Sequence, residues 1–211
     1  CYIELNKFGK ASKYLNNAMR ILQAKNKNLT DLQSKEKMNK ELFEIFRSLG
    51  NVFIYSKDYN TAIKCYEKAI EHDAENYSAY FFLGTVYYAK KEYDKAISYL
   101  DEAYKRETND IFLATVISKT YFELGNYEKM YEIYQKTSKE TTSPQNKSDD
   151  QKWFLAYYEY LAAIALRYYK KDYKEAIEHY KKSIKAKRKA WTYSEIASTY
   201  DEMHDIKNEF K

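Results

Sequence analysis

Three histidines, two cysteines and four glycines are the residues of this 211-residue chain with the most chemistry to offer. His72, His179 and His204 stand far apart, and none has a cysteine or second histidine at the short spacing a zinc site needs. Cys1 and Cys65 are too few for a disulfide framework and say nothing firm about compartment. Cys65 reads as a small apolar packing residue. Gly9, Gly50, Gly84 and Gly125 are isolated, so no glycine-rich loop cradles a phosphate. No serine sits in a nucleophile motif. Carboxylates are frequent, but they alternate with lysine as solvated helix faces do. The expectation is no catalytic residue, no metal ligand, no cofactor and no enzymatic activity. What remains is contact chemistry: 25 tyrosines, 10 phenylalanines and two tryptophans offer large apolar faces, many with a polar tip.

The elements that position these rings are marked by a phrase that returns. Leu49-Gly50, Asp58-Tyr59, Ala62, Tyr66 and Ala69 come back 34 positions later as Leu83-Gly84, Glu92-Tyr93, Ala96, Leu100 and Ala103. Asn126-Tyr127, Met130, Tyr134 and Thr137 repeat the second half at the same step. Lys7-Phe8, Ala11, Leu15 and Ala18 carry it near the N-terminus, and Asp172-Tyr173, Ala176, Tyr180 and Ser183 near the C-terminus. A last copy begins at Tyr193, Ile196-Ala197 and Tyr200 and reaches Asp205-Ile206. Small residues suit places where two helices cross closely: Gly50, Gly84 and Ala165 on the first helix of a pair, Ala62, Ala96 and Ala176 on the second. The rings fill the spaces between pairs.

This period and these offsets resemble the tetratricopeptide repeat. The resemblance implies an all-α fold, a right-handed superhelical solenoid of antiparallel helix pairs, in which each pair buries its apolar face against its neighbours. It divides the chain into a partial repeat at 1–25, an insert with a helix extension at 26–42, and three repeats at 43–137. A second insert with a helix extension follows at 138–157, then one repeat and a truncated last one at 158–211. Both ends fall inside a repeat without a polar cap, as in a piece of a longer array. Thr30 and Ser34 are candidate caps for the helix after the first insert. The second insert is polar, holds the only proline and reads as a mobile loop.

In such arrays the first helix of each pair lines the concave surface. Carried onto this chain, that places Arg47, Asn51 and Tyr55 in the first complete repeat, then Phe81, Thr85 and Tyr88. Phe112, Thr115, Lys119 and Phe122 follow, then Glu159, Ala162, Leu166 and Tyr169, with Trp191, Ser194 and Ser198 last. Arg47, Asn51, Phe81, Tyr88, Phe112, Lys119, Phe122, Tyr169 and Trp191 are therefore the candidate partner-binding residues, rings as anchors and polar groups as orienters. The competing reading packs several of these rings between helices. A chaperone-type carboxylate clamp does not fit. Arg47 and Asn51 match its first pair, Arg by charge alone, but Phe82, Phe112 and Val116 occupy the other positions.

The resemblance implies a protein-interaction scaffold that holds a peptide or an amphipathic helix. A peptide-sensing module of a bacterial regulator, an RNA-binding repeat protein and a substrate-recruiting arm of an enzyme are the rival readings. The net charge of +5 permits acidic partners without demanding nucleic acid. Lys181-Lys182, Lys185 and Lys187-Arg188-Lys189 form the one dense basic stretch. No run reaches the roughly 20 apolar residues that span a membrane. Cytoplasmic placement is the default. Cys1 leaves periplasmic or lipid-anchored placement open, although helix-like sequence follows it without a tether.

Overall fold

A computed structural model describes residues 2–26, 32–108, 110–137 and 149–209. Among the described residues there are ten helices, one of which ends in a π-helical turn, and no strand. The fold class is the all-α one that the repeat implies. Two compact units meet in sequence at Arg106 and Glu107.

The first unit holds α1 (Tyr2–Asn26), α2 (Leu32–Tyr55), α3 (Tyr59–His72), α4 (Tyr77–Ala89) and α5 (Tyr93–Arg106). Ser34 stands inside α2, two residues past its start, so it does not take the capping place before the helix. Thr30 lies outside the described residues. In α2, Met38, Leu42, Phe43, Phe46, Leu49 and Gly50 fall on one face and are buried. Leu15 and Met19 of α1 pack against this core. Spacings of three and four residues are why this sequence folds as an amphipathic helix.

The two pairs of this unit, α2 with α3 and α4 with α5, each meet at a glycine. A Cβ on Gly50 would lie 2.6 Å from the ring of Tyr66, and one on Gly84 would lie 2.6 Å from Leu100 Cγ. Tyr66 and Leu100 are fully buried, so the large residue of one helix sits against the missing side chain of the other. The second helices start at short polar caps, as where Asp58 accepts the Thr61 amide at 3.1 Å.

The turns within pairs share one geometry. The amides of Asp58, Glu92 and Asn126 donate to the carbonyls of Phe53, Tyr87 and Tyr121, five residues back, at 2.9–3.0 Å. The preceding residue is left-handed each time: Lys57 at φ 62°, Lys91 at 61° and Gly125 at 68°. Glycine suits this place because it has no Cβ to strain, and lysine does not. Lys91→Gly is therefore expected to raise stability by about 1 kcal/mol and Gly125→Ala to lower it by a similar amount. Urea unfolding midpoints check both.

The second unit holds α6 (Ile111–Glu123), α7 (Tyr127–Thr137), α8 (Asp149–Ala165), α9 (Tyr173–Ala186) and α10 (Ala190–Glu209). The polar loop expected at 138–148 lies outside the described residues. α8 continues into a π-helical turn over Leu166–Lys170. There the amide of Asp172 reaches the carbonyl of Leu166, six residues back rather than five. This helix end is one residue longer than the others. Gly50 and Gly84 lie three positions before Phe53 and Tyr87, and the residue three before Leu166 is Ala163. Ala163, not Ala165, thus shares their register. Counting nine back from Tyr173, as from Tyr59 to Gly50, lands on Ile164, which has an alanine on both sides. The extra residue in the turn decides between them.

Candidate functional site

The polar cluster that comes nearest to a catalytic arrangement lies inside the second unit. His179 is buried, its Nδ1 is 2.6 Å from Glu159 Oε2 and its Nε2 is 3.1 Å from the Tyr134 hydroxyl. The Tyr158 hydroxyl donates to the Tyr134 carbonyl at 3.2 Å. Both imidazole nitrogens are thus engaged by neighbours on α7 and α8. The cluster ties three helices together and presents no nitrogen to a substrate. Among the described residues no group of three or more His, Cys, Asp or Glu side chains is gathered to hold a metal. No helix of the described residues is long and apolar enough to cross a membrane.

The candidate contact residues divide between the units. In the first, Arg47 stands 5.9 Å over the Phe82 ring and pairs with Glu44, its Nε at 3.2 Å. Asn51 accepts the Tyr66 hydroxyl at 2.7 Å, so its carbonyl is committed to the α2–α3 crossing. Phe81 is half-buried beside Phe82, with ring centroids 5.2 Å apart, and Tyr88 stands 5.4 Å from Tyr93.

In the second unit Phe112 packs edge-on to Phe154 of α8 at 4.3 Å, a ring held between helices. Lys119 lies 5.9 Å over Tyr157. Phe122 is 37% exposed, beside Tyr127. Tyr169, on the π turn, donates to Glu128 at 2.7 Å and carries the Lys170 ammonium 4.8 Å from its ring. Trp191 is 46% exposed, with Lys189 at 5.2 Å over its ring.

Glu159, Ala162 and Leu166 do not belong to this surface. Glu159 holds His179, and Ala162 and Leu166 are buried. The register correction explains the difference. A mapping two residues too far along a helix is turned by about 200°, onto the opposite face. The residues in register with Phe112 and Thr115 are Tyr157 and Tyr160. They extend an aromatic ladder down α8, in which Trp153 stacks on Tyr157 at 5.3 Å and Tyr157 on Tyr160 at 5.9 Å. Burial pushes the Tyr157 hydroxyl up and that of Tyr160 to about 12, so both are neutral donors at any ordinary pH. Trp153, Tyr160, Ser183, Lys189 and Trp191 line a narrow cleft. Sequence reasoning passed over Trp153, Tyr157 and Tyr160, although their spacing of four and three residues already put them on one helix face.

Helix pairs closed by a glycine against a buried ring or leucine, with rings along the first helices, define a helical-repeat class of interaction protein. A family model described as anaphase-promoting complex, cyclosome, subunit 3 matches residues 56–137, and one described as tetratricopeptide repeat matches residues 160–189. The chain is a tetratricopeptide-repeat protein, a family whose members generally serve as protein-interaction scaffolds. Among solved structures it is similar to PilF of Pseudomonas aeruginosa, with a TM-score of 0.63 at 17% identity, over 79% of this chain and 71% of that one. It is similar to YrrB, described as a TPR protein with an unusual peptide-binding site, with a TM-score of 0.59 at 18% identity over 92% and 90%. A chain of the APC/C hetero-tetramer Cut9-Hcn1 aligns with a TM-score of 0.61 at 18% identity, over 94% of this chain but 34% of that one. No curated protein matches it in sequence.

Proposed function

We propose that this protein is a non-catalytic scaffold that binds a peptide or an amphipathic helix of a protein partner on the aromatic side chains of its first helices. The observation that carries this reading is that rings at recurring first-helix positions stay part-exposed, Phe81 and Tyr88 in one unit and Phe122 and Trp191 in the other. A ring that is half wet in the free protein gains most from a partner that covers it. YrrB, with its peptide-binding site, is a precedent on the same fold. Arg47 and Lys119 act as orienting cations. Asn51 and Phe112 contribute chiefly to packing, since their contacts are met within the protein.

The test is capture from a lysate of the source cells, with the chain as bait beside its Phe81→Ala, Phe122→Ala variant. A protein held by the first and lost by the second, with helical circular dichroism unchanged, is the expected result. Equal capture by a folded variant would remove these rings from the site. Capture of nothing at all, by either bait, would count against the scaffold itself.

A further inference from the structure

The chain has two tryptophans, Trp153 and Trp191, and both line the same cleft of the second unit. One wall is the α8 ladder and the other is the start of α10, with Ser183 of α9 and Lys189 between them. At 46% exposed, Trp191 leaves much of a large apolar ring to water. Trp153 stacks on Tyr157 and Tyr157 on Tyr160, so these rings already have ring neighbours. The Lys189 ammonium lies 5.2 Å over the Trp191 ring. A bulky aliphatic or aromatic side chain packs well against the exposed part of that ring. A nucleic-acid base stacking on the face that Lys189 occupies would first have to displace it.

Charge surrounds the same opening. Residues 181–189 contain six basic side chains and no acidic one. Lys181 is paired with Glu178, but among the described residues Lys185, Arg188 and Lys189 form no ion pair. Like charges this close repel one another, and an acidic segment laid beside them relieves that repulsion.

We infer that the exposed part of the Trp191 ring, at the mouth of the narrow cleft it shares with Trp153 and Tyr160, takes one bulky apolar side chain of an acidic peptide segment, whose carboxylates lie along Lys185 to Lys189. This rests on the scaffold reading above and names the chemistry of its partner.

The probe is the octapeptide acetyl-Asp-Glu-Asp-Phe-Leu-Glu-Asp-Glu-amide, titrated into the full chain. Tryptophan emission reports the place of binding, and anisotropy of a fluorescein-labelled copy reports affinity. The emission should shift on binding. Trp191→Ala should weaken binding about thirtyfold, the scale of an aromatic hot spot. Lys185→Glu with Arg188→Glu, both exposed and so safe for folding, should weaken it about tenfold and flatten its salt dependence. The same peptide with Ser-Ser in place of Phe-Leu should not bind.

Unchanged affinity in both variants would overturn the cleft assignment while leaving a peptide-binding scaffold in place. No emission change up to about 1 mM peptide, the weak end of specific recognition, would overturn it too and leave the scaffold to the capture experiment. Tighter binding of dodecauridylate than of the peptide, lost in Trp191→Ala, would replace the proposal with single-stranded RNA recognition.

Discussion

Tyr66→Ala is expected to lower the unfolding free energy of the first unit by about 3–5 kcal/mol, the range for deleting a fully buried large aromatic side chain. Tyr66 has no exposed surface, stacks on Phe82 at 5.7 Å and gives its hydroxyl to Asn51 at 2.7 Å. Its loss opens a cavity and leaves the half-buried Asn51 without that partner. A companion substitution makes the expectation specific. In the unchanged protein Gly50→Ala should cost about 1–3 kcal/mol, because the new Cβ would lie 2.6 Å from the Tyr66 ring. In the Tyr66→Ala background the ring is gone, and alanine is the better helix former by about 1 kcal/mol. Gly50→Ala should then stabilise. Urea unfolding of the four proteins measures the coupling. Equal effects of Gly50→Ala in both backgrounds would show that the glycine answers to something other than Tyr66.

Arg167→Met is expected to cost about 3 kcal/mol and to loosen α10. Arg167 is 4% exposed and donates to two carboxylates of α10, at 2.7 Å to Glu195 through Nη1 and at 3.2 Å to Glu202 through Nε. Breaking a buried pair is expensive because the remaining charges lose their compensation; here both carboxylates keep some water, which holds the cost near the lower end. The effect should depend on pH. The hydrogen bond from Arg167, and then its charge, hold the Glu202 carboxyl below its ordinary value of 4.5. A carboxyl lowered by folding contributes stability that is fully present above that ordinary value and is lost as the pH falls through the lowered one. The gap between the parent and Arg167→Met should therefore be constant near neutrality and narrow below about pH 4.5. Hydrogen exchange along α10 at pH 7 and unfolding curves down to pH 3 check both parts. A gap that stays constant to low pH would mean that Arg167 acts by packing alone.

Much of the fold was legible because the repeat writes its contacts into residue size. Gly50 opposite Tyr66 and Gly84 opposite Leu100 are pairs of extremes, and extremes at a constant step stand out from a background of ordinary helix formers. Asp58, Asn76 and Asp110 likewise mark helix starts by residue type. The candidate surface was less legible. A ring that anchors a partner and a ring that fills an interhelical space have the same composition, and Phe112 and Phe122 share a helix yet differ in this respect. Burial of one ring depends on what a helix distant in sequence brings to it, as Phe154 does for Phe112. On α8 a period counted in residues broke down, since Ala163, Ile164 and Ala165 are nearly interchangeable by size pattern and only the backbone of Leu166–Lys170 tells them apart. Arg167 stands alone in the apolar sequence at the end of the first helix, yet it is the residue that fastens α10. Nothing local in the sequence ties it to Glu195 and Glu202, 28 and 35 positions away.

The π turn at Leu166–Lys170 bears on how such an array tolerates a change in repeat length. Copies stacked by contact with their neighbours need their second helices in phase, or the stack fails. A single inserted codon in a first helix would ordinarily rotate everything on one side of it by about 100° and be rejected. A wider helical loop absorbs the insertion where it occurs: Asp172 still caps α9 and Ala176 and Tyr180 stay buried. The extra residue is taken up in the turn itself, so Tyr157 and Tyr160 keep the register of Phe112 and Thr115 and neither helix turns its face. A repeat can thus lengthen by one residue with both its grammar and its recognition surface intact, a latitude that the tighter turns of the other pairs do not show.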